Sequence, residues 1–219
     1  MPGLFIAFEG GDGAGKTTQA SLLETALCER GYSTVSVREP GSTTLGNYLR
    51  QYLVNEQPVS PLAELFLFEA SRAELMREVI EPQLAAGAVV IADRFAGSTI
   101  AYQGYGRGLN LERIEWLNDV ATGGRFPDLT VLLDIDPSIG LGRVHGRQLE
   151  LRLQYGEESD RFEDQQPDFH HNVRYGFQQQ AAANQGCWVL VEANQSIETV
   201  ASQVWCAVET KLGLHSSQE

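Results

Sequence analysis

The stretch Gly10-Gly11-Asp12-Gly13-Ala14-Gly15-Lys16-Thr17 constrains the fold more than any other part of this 219-residue chain. It fits the pattern G-x-x-x-x-G-K-[ST], which carries meaning only between a buried strand and a helix. Both flanks comply: Phe5-Ile6-Ala7-Phe8 reads as a buried strand and Thr17 onward as a helix. The glycines let successive backbone N–H groups point into one concavity, and the helix adds the positive end of its dipole. Gly10, Gly11, Asp12, Gly13, Ala14, Gly15, Lys16, Thr17 and Thr18 are the expected phosphate cradle. Lys16 reaches the β/γ-phosphates of a nucleotide and the Thr17 hydroxyl ligates Mg²⁺. The competing reading is a glycine-rich turn with a solvated lysine.

From that anchor the pattern alternates. Helix is expected over 17–30, with Leu22, Leu23, Ala26 and Leu27 inward and Gly31 as the stop. A second strand covers 33–38 and a short helix 44–53. A longer helix starts at Pro61 and breaks or kinks near Pro82. Residues 88–92, Ala-Val-Val-Ile-Ala, form a continuous apolar run of the kind found in central parallel strands. Asn110 caps a helix over 111–122. Residues 129–135 are a buried strand, and Asp136-Pro137 opens a helix. Residues 148–165 are polar, charged and without clear period. A helix resumes by Phe169 and runs to Ala183, a strand covers 188–191, and a final helix covers 196–212. No linker or repeat divides residues 1–219, so a single α/β domain is expected: a five-stranded parallel sheet with helices on both faces.

Composition narrows the partners. The formal charge is −13, which disfavours nucleic acid polymers while leaving room for one basic pocket around a small phosphate ligand. No apolar run approaches the length of a membrane span, and the first residues lack a signal-peptide layout. Cys28, Cys187 and Cys206 are odd in number and lack C-x-x-C spacing. They fit packing roles in a reducing, cytoplasmic compartment.

In an open parallel sheet, ligands sit beyond the carboxyl ends of the strands, so the segments following the first four strands are where chemistry is expected. They are the glycine-rich loop, Arg38-Glu39-Pro40-Gly41, Asp93-Arg94 and Asp134-Ile135-Asp136. Asp93 can hold the hydration shell of a metal beside Thr17, with Asp134 as its rival. Arg94 can bridge two phosphates, and Arg38 can reach a second one. A structural Asp–Arg pair and an ordinary turn ion pair are the plain alternatives. Phe68 and Arg72, one helical turn apart, can stack on and hydrogen-bond a base, although Phe68 taken alone suits a core position. Ser98, Thr99, Tyr102 and Gln103 suit recognition of base edges and sugar hydroxyls; a helix start capped by Ser98 is the alternative. Residues 148–165 suit a lid that carries arginines to a transferring phosphate, or else a solvated loop.

Taken in order, several segments together resemble the thymidylate kinase family over roughly residues 5–212. They are Phe8-Glu9-Gly10 through Thr18, Arg38-Glu39-Pro40-Gly41, Phe68 with Arg72, Asp93-Arg94 with Ser98, Ala101-Tyr102-Gln103-Gly104, Arg107-Gly108-Leu109, Pro127-Asp128-Leu129 and Asp160-Arg161-Phe162-Glu163. The resemblance implies phosphorylation of dTMP to dTDP by ATP and Mg²⁺, feeding dTTP synthesis, in a homodimer packed through helices. It implies that Asp12 contacts the sugar 3′-hydroxyl and that Arg38 and Arg94 hold the dTMP phosphate. Phe68 stacks on thymine, Arg72, Thr99 and Gln103 read its edge, and Tyr102 packs under the sugar. Gly13 stands where some members carry a catalytic arginine, so the lid supplies it: Arg147 and Arg161 are favoured, with Arg152 also a candidate. Ser42 replaces the more usual second glycine after Pro40, Glu74-Leu75 stands where Gln-His is often seen, and the lid stretch is longer than usual. The rivals are another nucleoside monophosphate kinase, or a nucleotide switch or transport motor. The last two lack their N-K-x-D or Walker B and L-S-G-G-Q motifs here.

Overall fold

The computed structural model describes residues 3–55, 59–155 and 166–213. Five parallel strands, β1 (Leu4–Glu9), β2 (Thr34–Arg38), β3 (Val89–Asp93), β4 (Leu129–Asp134) and β5 (Trp188–Glu192), form one sheet in the order β2-β3-β1-β4-β5. The register pairs Arg38 with Asp93, Phe8 with Asp93, and Asp134 with Glu192. The charged residues that end the strands therefore gather along one edge of the sheet.

The central strands are apolar throughout because both faces are covered. Ile6 and Phe8 pack with Leu23 and Leu27 of α1 (Lys16–Glu29). Phe5 and Ala7 face the opposite layer. That layer is built around α3 (Pro61–Leu75), which follows α2 (Thr44–Asn55). Leu75, Ile80 and Leu84 cover Phe5 there. A third cluster joins Tyr102 and Leu132 to Phe169, Val173 and Phe177. On α1 the expected inward set is corrected at Leu22, which is 41% exposed; Leu23 and Leu27 are buried. Cys28 and Cys206 are exposed rather than packed.

The break or kink expected near Pro82 takes the form of a change of winding just before it, and the chain does not stop there. After α3 it widens into a π-turn, Met76–Ile80, and continues as α4 (Glu81–Ala85) with Pro82 in its first turn. Widening the winding just before a residue without an N–H accommodates the missing hydrogen bond. A second π-turn, Ile100–Gly106, follows α5 (Ala96–Thr99) and precedes α6 (Leu111–Thr122), which Asn110 caps by accepting from the Arg113 N–H at 2.9 Å.

α7 (Pro137–Tyr155) runs into the expected lid stretch, so Arg147 and Arg152 lie on a helix. Leu149, Leu151 and Leu153 alternate, which obscures a helical period, while Gln, Leu, Glu and Arg all favour helix intrinsically. Arg161 and residues 156–165 lie outside the described residues. α8 (Pro167–Ala183) and α9 (Ile197–Lys211) complete the order. Among the described residues no helix is long and apolar enough to cross a membrane.

Candidate active site

The glycine-rich loop joins β1 to α1 with Gly10, Gly13 and Gly15 at positive φ. At Gly13 a Cβ would overlap the backbone carbonyl of Gly140 in α7, whereas at Gly15 it would meet open space. An arginine at position 13 therefore has no room. We expect Gly13→Ala to cost about 2 kcal/mol or more of stability, through left-handed strain plus backbone overlap, and to weaken the loop's hold on a phosphate ligand. Of the stability loss, Gly15→Ala should show only the strain component. Thermal melts and steady-state kinetics of the two variants measure the difference.

Lys16 folds back across the loop and donates to the carbonyls of Gly10 at 3.0 Å and Gly11 at 2.7 Å. Burial and the Arg94 charge bring its pKa down to about 8, against the pull of Asp12, Asp93 and Glu9. Thr17 Oγ1 donates to Asp93 Oδ2 at 2.5 Å. Asp134, the rival carboxylate, is instead held by Arg174 through Nε and Nη2, both at 2.9 Å. Asp93 and not Asp134 thus stands beside Thr17. Hydroxyl and carboxylate oxygens are the hard donors Mg²⁺ takes, and Mg²⁺ uses only one or two of them beside water and phosphate. The pair fits that ion.

Arg94 adopts φ 72°, left-handed for a residue with a side chain. Its Nη1 donates to Gly10 O at 3.0 Å and to Ser98 Oγ at 3.1 Å, and its Nη2 to Asp12 Oδ1 at 2.5 Å and Tyr102 Oη at 3.1 Å. The Tyr102 hydroxyl donates to Asp12 Oδ2 at 2.8 Å, closing the circuit. Burial works against the Arg94 charge, but Tyr102, Asp12, Asp93 and Glu9 outweigh it and hold its pKa above the ordinary value. Burial also raises Asp12, yet Arg94 and Lys16 prevail and its carboxyl sits below the usual range.

Glu9 anchors this arrangement from below. Its Oε1 accepts the N–H groups of Phe95 and Ser98, both at 2.9 Å, and its Oε2 accepts the Ser98 hydroxyl at 2.6 Å. Glu9 rather than Ser98 therefore satisfies the N–H groups at this helix start, and the Ser98 hydroxyl connects Glu9 to Arg94. Burial raises the Glu9 pKa despite the hydrogen bonds from Ser98 and the Arg94 charge.

A cleft of about 360 Å³ opens over the loop. Its walls include Arg38, Phe68, Arg72, Thr99, Tyr102 and Gln103, with Arg94 and Asp93 at the loop end. Arg50 of α2, which sequence reasoning missed, lines the same cleft and donates to the Pro40 carbonyl at 3.4 Å. Ser42 sits at φ 62° where glycine is more usual, and its hydroxyl accepts the Arg38 N–H at 2.9 Å.

Arg72 is 1% exposed, and all five of its N–H groups have protein acceptors. Nε and Nη2 reach Glu39, Nη1 reaches Glu69 and Asn118, and Nη2 also reaches Thr99 Oγ1 at 2.9 Å. A base carbonyl would have to share one of them. Burial lifts Glu39 to about 7, with Arg72 pulling the other way and Glu69 adding to the rise.

A second cavity of about 420 Å³ lies across the loop, sharing Gly13, Gly15, Thr18 and Val144 with the first. Arg143 and Gln195 line it, and Arg143 Nη1 donates to Ala193 O at 3.3 Å. Ala193-Asn194-Gln195 follows β5, so the strand-end rule extended to the fifth strand locates this site. Arg147 is placed on α7 by its backbone alone, and Arg161 lies outside the described residues.

Two cavities meeting at one phosphate loop suit a donor and an acceptor that exchange a phosphoryl group. Comparison with known proteins agrees. The family model described as thymidylate kinase matches residues 8–204. The thymidylate kinase of Synechococcus sp. (strain JA-2-3B'a(2-13)) is 48% identical over 96% of this chain and 97% of its own. That of Gloeobacter violaceus is 45% identical over 98% and 99%. The crystal structure of thymidylate kinase from Ehrlichia chaffeensis superimposes with a TM-score of 0.77 at 33% identity, covering 95% of this chain and 99% of that one. With the phosphate loop, the Asp93-Arg94 strand end and the parallel sheet all falling within that match, the chain belongs to the thymidylate kinase family.

Proposed function

We propose that this chain transfers the γ-phosphoryl group of ATP to dTMP, giving dTDP and ADP and feeding dTTP synthesis. The observation that carries this reading is the Arg94 circuit. One guanidinium ties the phosphate loop, through Asp12 and Gly10, to the Tyr102 side of the acceptor cleft.

The acceptor is a phosphate monoester with a second pKa of about 6, so it is mostly dianionic at neutral pH. It needs no general base, and none is assigned. An acceptor oxygen forms the new bond to the γ-phosphorus as the bond to the β,γ-bridging oxygen breaks, and ADP departs with that oxygen's electrons. Catalysis is therefore positioning and charge neutralisation.

The loop N–H groups from Gly10 to Thr18 and Lys16 hold the ATP phosphates, and the second cavity, with Arg143 and Gln195, takes the rest of that nucleotide. Mg²⁺, a cofactor implied by the family, would be held by Thr17 and, through the ion's own waters, by Asp93, and would neutralise phosphate charge there. Arg38, Arg50 and Arg94 hold the dTMP phosphate. Asp12 takes the 3′-hydroxyl, Tyr102 underlies the sugar, Phe68 stacks on thymine, and Thr99 and Gln103 face its edge with Arg72 behind them. Ser98 keeps Arg94 in place. Residues 148–165 act as the lid, and Arg147 or Arg161 brings the last positive charge.

A homodimer belongs to this reading. Tyr48, Phe66, Trp116 and Val120 leave apolar surface exposed on α2, α3 and α6, and these helices pack side by side. A second copy of the chain would cover it.

With Mg²⁺-ATP, purified protein should phosphorylate dTMP far faster than AMP, GMP, CMP or UMP in a coupled ADP-release assay. Equal rates on UMP and dTMP would sink the thymine-pocket assignment. ATP hydrolysis without an acceptor as the main activity would favour a nucleotide-driven switch or motor instead.

A further inference from the structure

Gln103 is 2% exposed and lines the acceptor cleft. Its Nε2 donates to Glu64 Oε1 at 2.8 Å. Its Oε1 accepts no hydrogen bond from a described residue and is not sealed away in the interior. A glutamine amide by itself has no preferred hand: rotated by half a turn about its last bond, it exchanges a donor for an acceptor. Glu64 removes that freedom. An ionised carboxylate only accepts, so the amide nitrogen must face Glu64 and the oxygen must face the cleft.

Glu64 is itself held fixed. It lies in the first turn of α3, where the helix dipole favours negative charge. Its own N–H donates to Ser60 O at 2.9 Å, and the Ser60 side chain caps the helix by accepting from Ala63 N. The Nε and Nη2 of Arg107 donate to Glu64, each at 3.3 Å. The Arg107 guanidinium lies 4.7 Å above the Phe169 ring of α8. Glu64 is 1% exposed, so it has little room to swing aside.

We propose that Glu64 is the positioning residue that makes the base pocket select thymine over cytosine. This rests on the assignment of Gln103 to the base edge. Thymine presents an N3–H donor beside its O4 acceptor. The locked amide answers both, with Oε1 accepting from N3–H and the second Nε2 hydrogen free for O4. Cytosine presents the reverse, an N3 acceptor beside an N4 amino donor, and is met only by the rotated amide. Rotation would set Oε1 against the Glu64 carboxylate, two acceptors in contact with no proton between them. The thymine methyl plays no part, so the device treats uracil and thymine alike; discrimination between those two falls to other contacts.

The test compares kcat/KM for dTMP, dUMP and dCMP in the unaltered enzyme and in Glu64→Gln, Glu64→Asp and Gln103→Ala. In Glu64→Gln the neighbour can donate or accept, and the amide is free to turn. The dCMP-to-dTMP ratio should rise by about tenfold or more, the scale of a lost pairing constraint in a closed pocket. The dUMP-to-dTMP ratio should stay constant. A purely structural role for Glu64 would lower all three substrates together and leave both ratios unchanged, and that outcome overturns the proposal. Should Glu64→Gln fail to fold, Glu64→Asp draws the carboxylate back by one methylene and should raise the same ratio by a smaller factor; a constant ratio there overturns it equally. Gln103→Ala separates the two levels. If it leaves every substrate unaffected, Gln103 does not touch the base and the underlying assignment fails. If it affects them while the Glu64 variants leave the ratios alone, only the positioning role fails.

Discussion

Arg94→Ala is expected to lower kcat by about 10³-fold or more, the scale associated with an arginine at a transferring phosphoryl group. The structure concentrates four hydrogen bonds on this guanidinium, to Gly10, Asp12, Ser98 and Tyr102. Alanine removes all of them from the cleft over the phosphate loop. The fold should survive, because Asp12 keeps the Tyr102 hydroxyl and the strand is pinned by the Arg94 backbone N–H on Phe8 O at 3.0 Å. A loss of about 1–2 kcal/mol is expected for the missing partly buried ion pair. The φ of 72° supplies an internal control. Arg94→Gly releases left-handed strain that alanine retains, so it should be about 1 kcal/mol more stable than Arg94→Ala while being just as slow. Turnover and thermal melts of the two variants separate chemistry from folding. Near-normal turnover in either removes Arg94 from the mechanism.

Lys16→Met is expected to lower kcat by about 10²–10³-fold, as loss of one preorganised charge donor does in a water-poor site. The same residue has a pH signature. Its pKa in the ligand-free protein is about 8, well below an ordinary lysine. The unfolded chain therefore holds more protons than the folded one between that value and 10.5. Across this window the group makes the free protein more stable as pH rises. A bound polyphosphate restores the charged form, so nucleotide binding should take up protons at mildly alkaline pH, and more as pH increases. Titration calorimetry in buffers of differing ionisation enthalpy reads this directly. The uptake should be missing in Lys16→Met; uptake that persists there would belong to another group.

The first layer of the molecule was legible in the chain because it depends on short-range pattern. Apolar runs such as 129–135 are buried on both faces, and the glycine loop needs only its own backbone freedom and the helix that follows. The strand-end rule located Arg38, Asp93 and Arg94, since parallel strands necessarily deliver their carboxyl ends to one edge. It also holds for Ala193-Asn194-Gln195 after β5, which points at the second cavity. The helical stretch 148–155 was not legible, because its leucines alternate while its helix propensity is spread evenly.

What stayed hidden shares one physical cause: the partner of each buried polar group is far away in sequence. Arg72 and Phe68 are visibly one turn apart, but nothing local shows that Arg72 is saturated by Glu39, Glu69, Asn118 and Thr99. Asp93 and Asp134 end equally apolar strands. Only the approach of Arg174 from α8 engages one and leaves the other to Thr17. Gly13 reads as a generic loop glycine until Gly140 packs against it. Chain pattern alone determined the sheet, the loop and the chemical kinds of residue at the site, because those follow from periodicity and backbone freedom. The tertiary structure alone decided which charges are engaged, which way the Gln103 amide faces and which carboxylate stands beside Thr17. Burial requires every polar group to find a partner, and the fold selects that partner from across the chain.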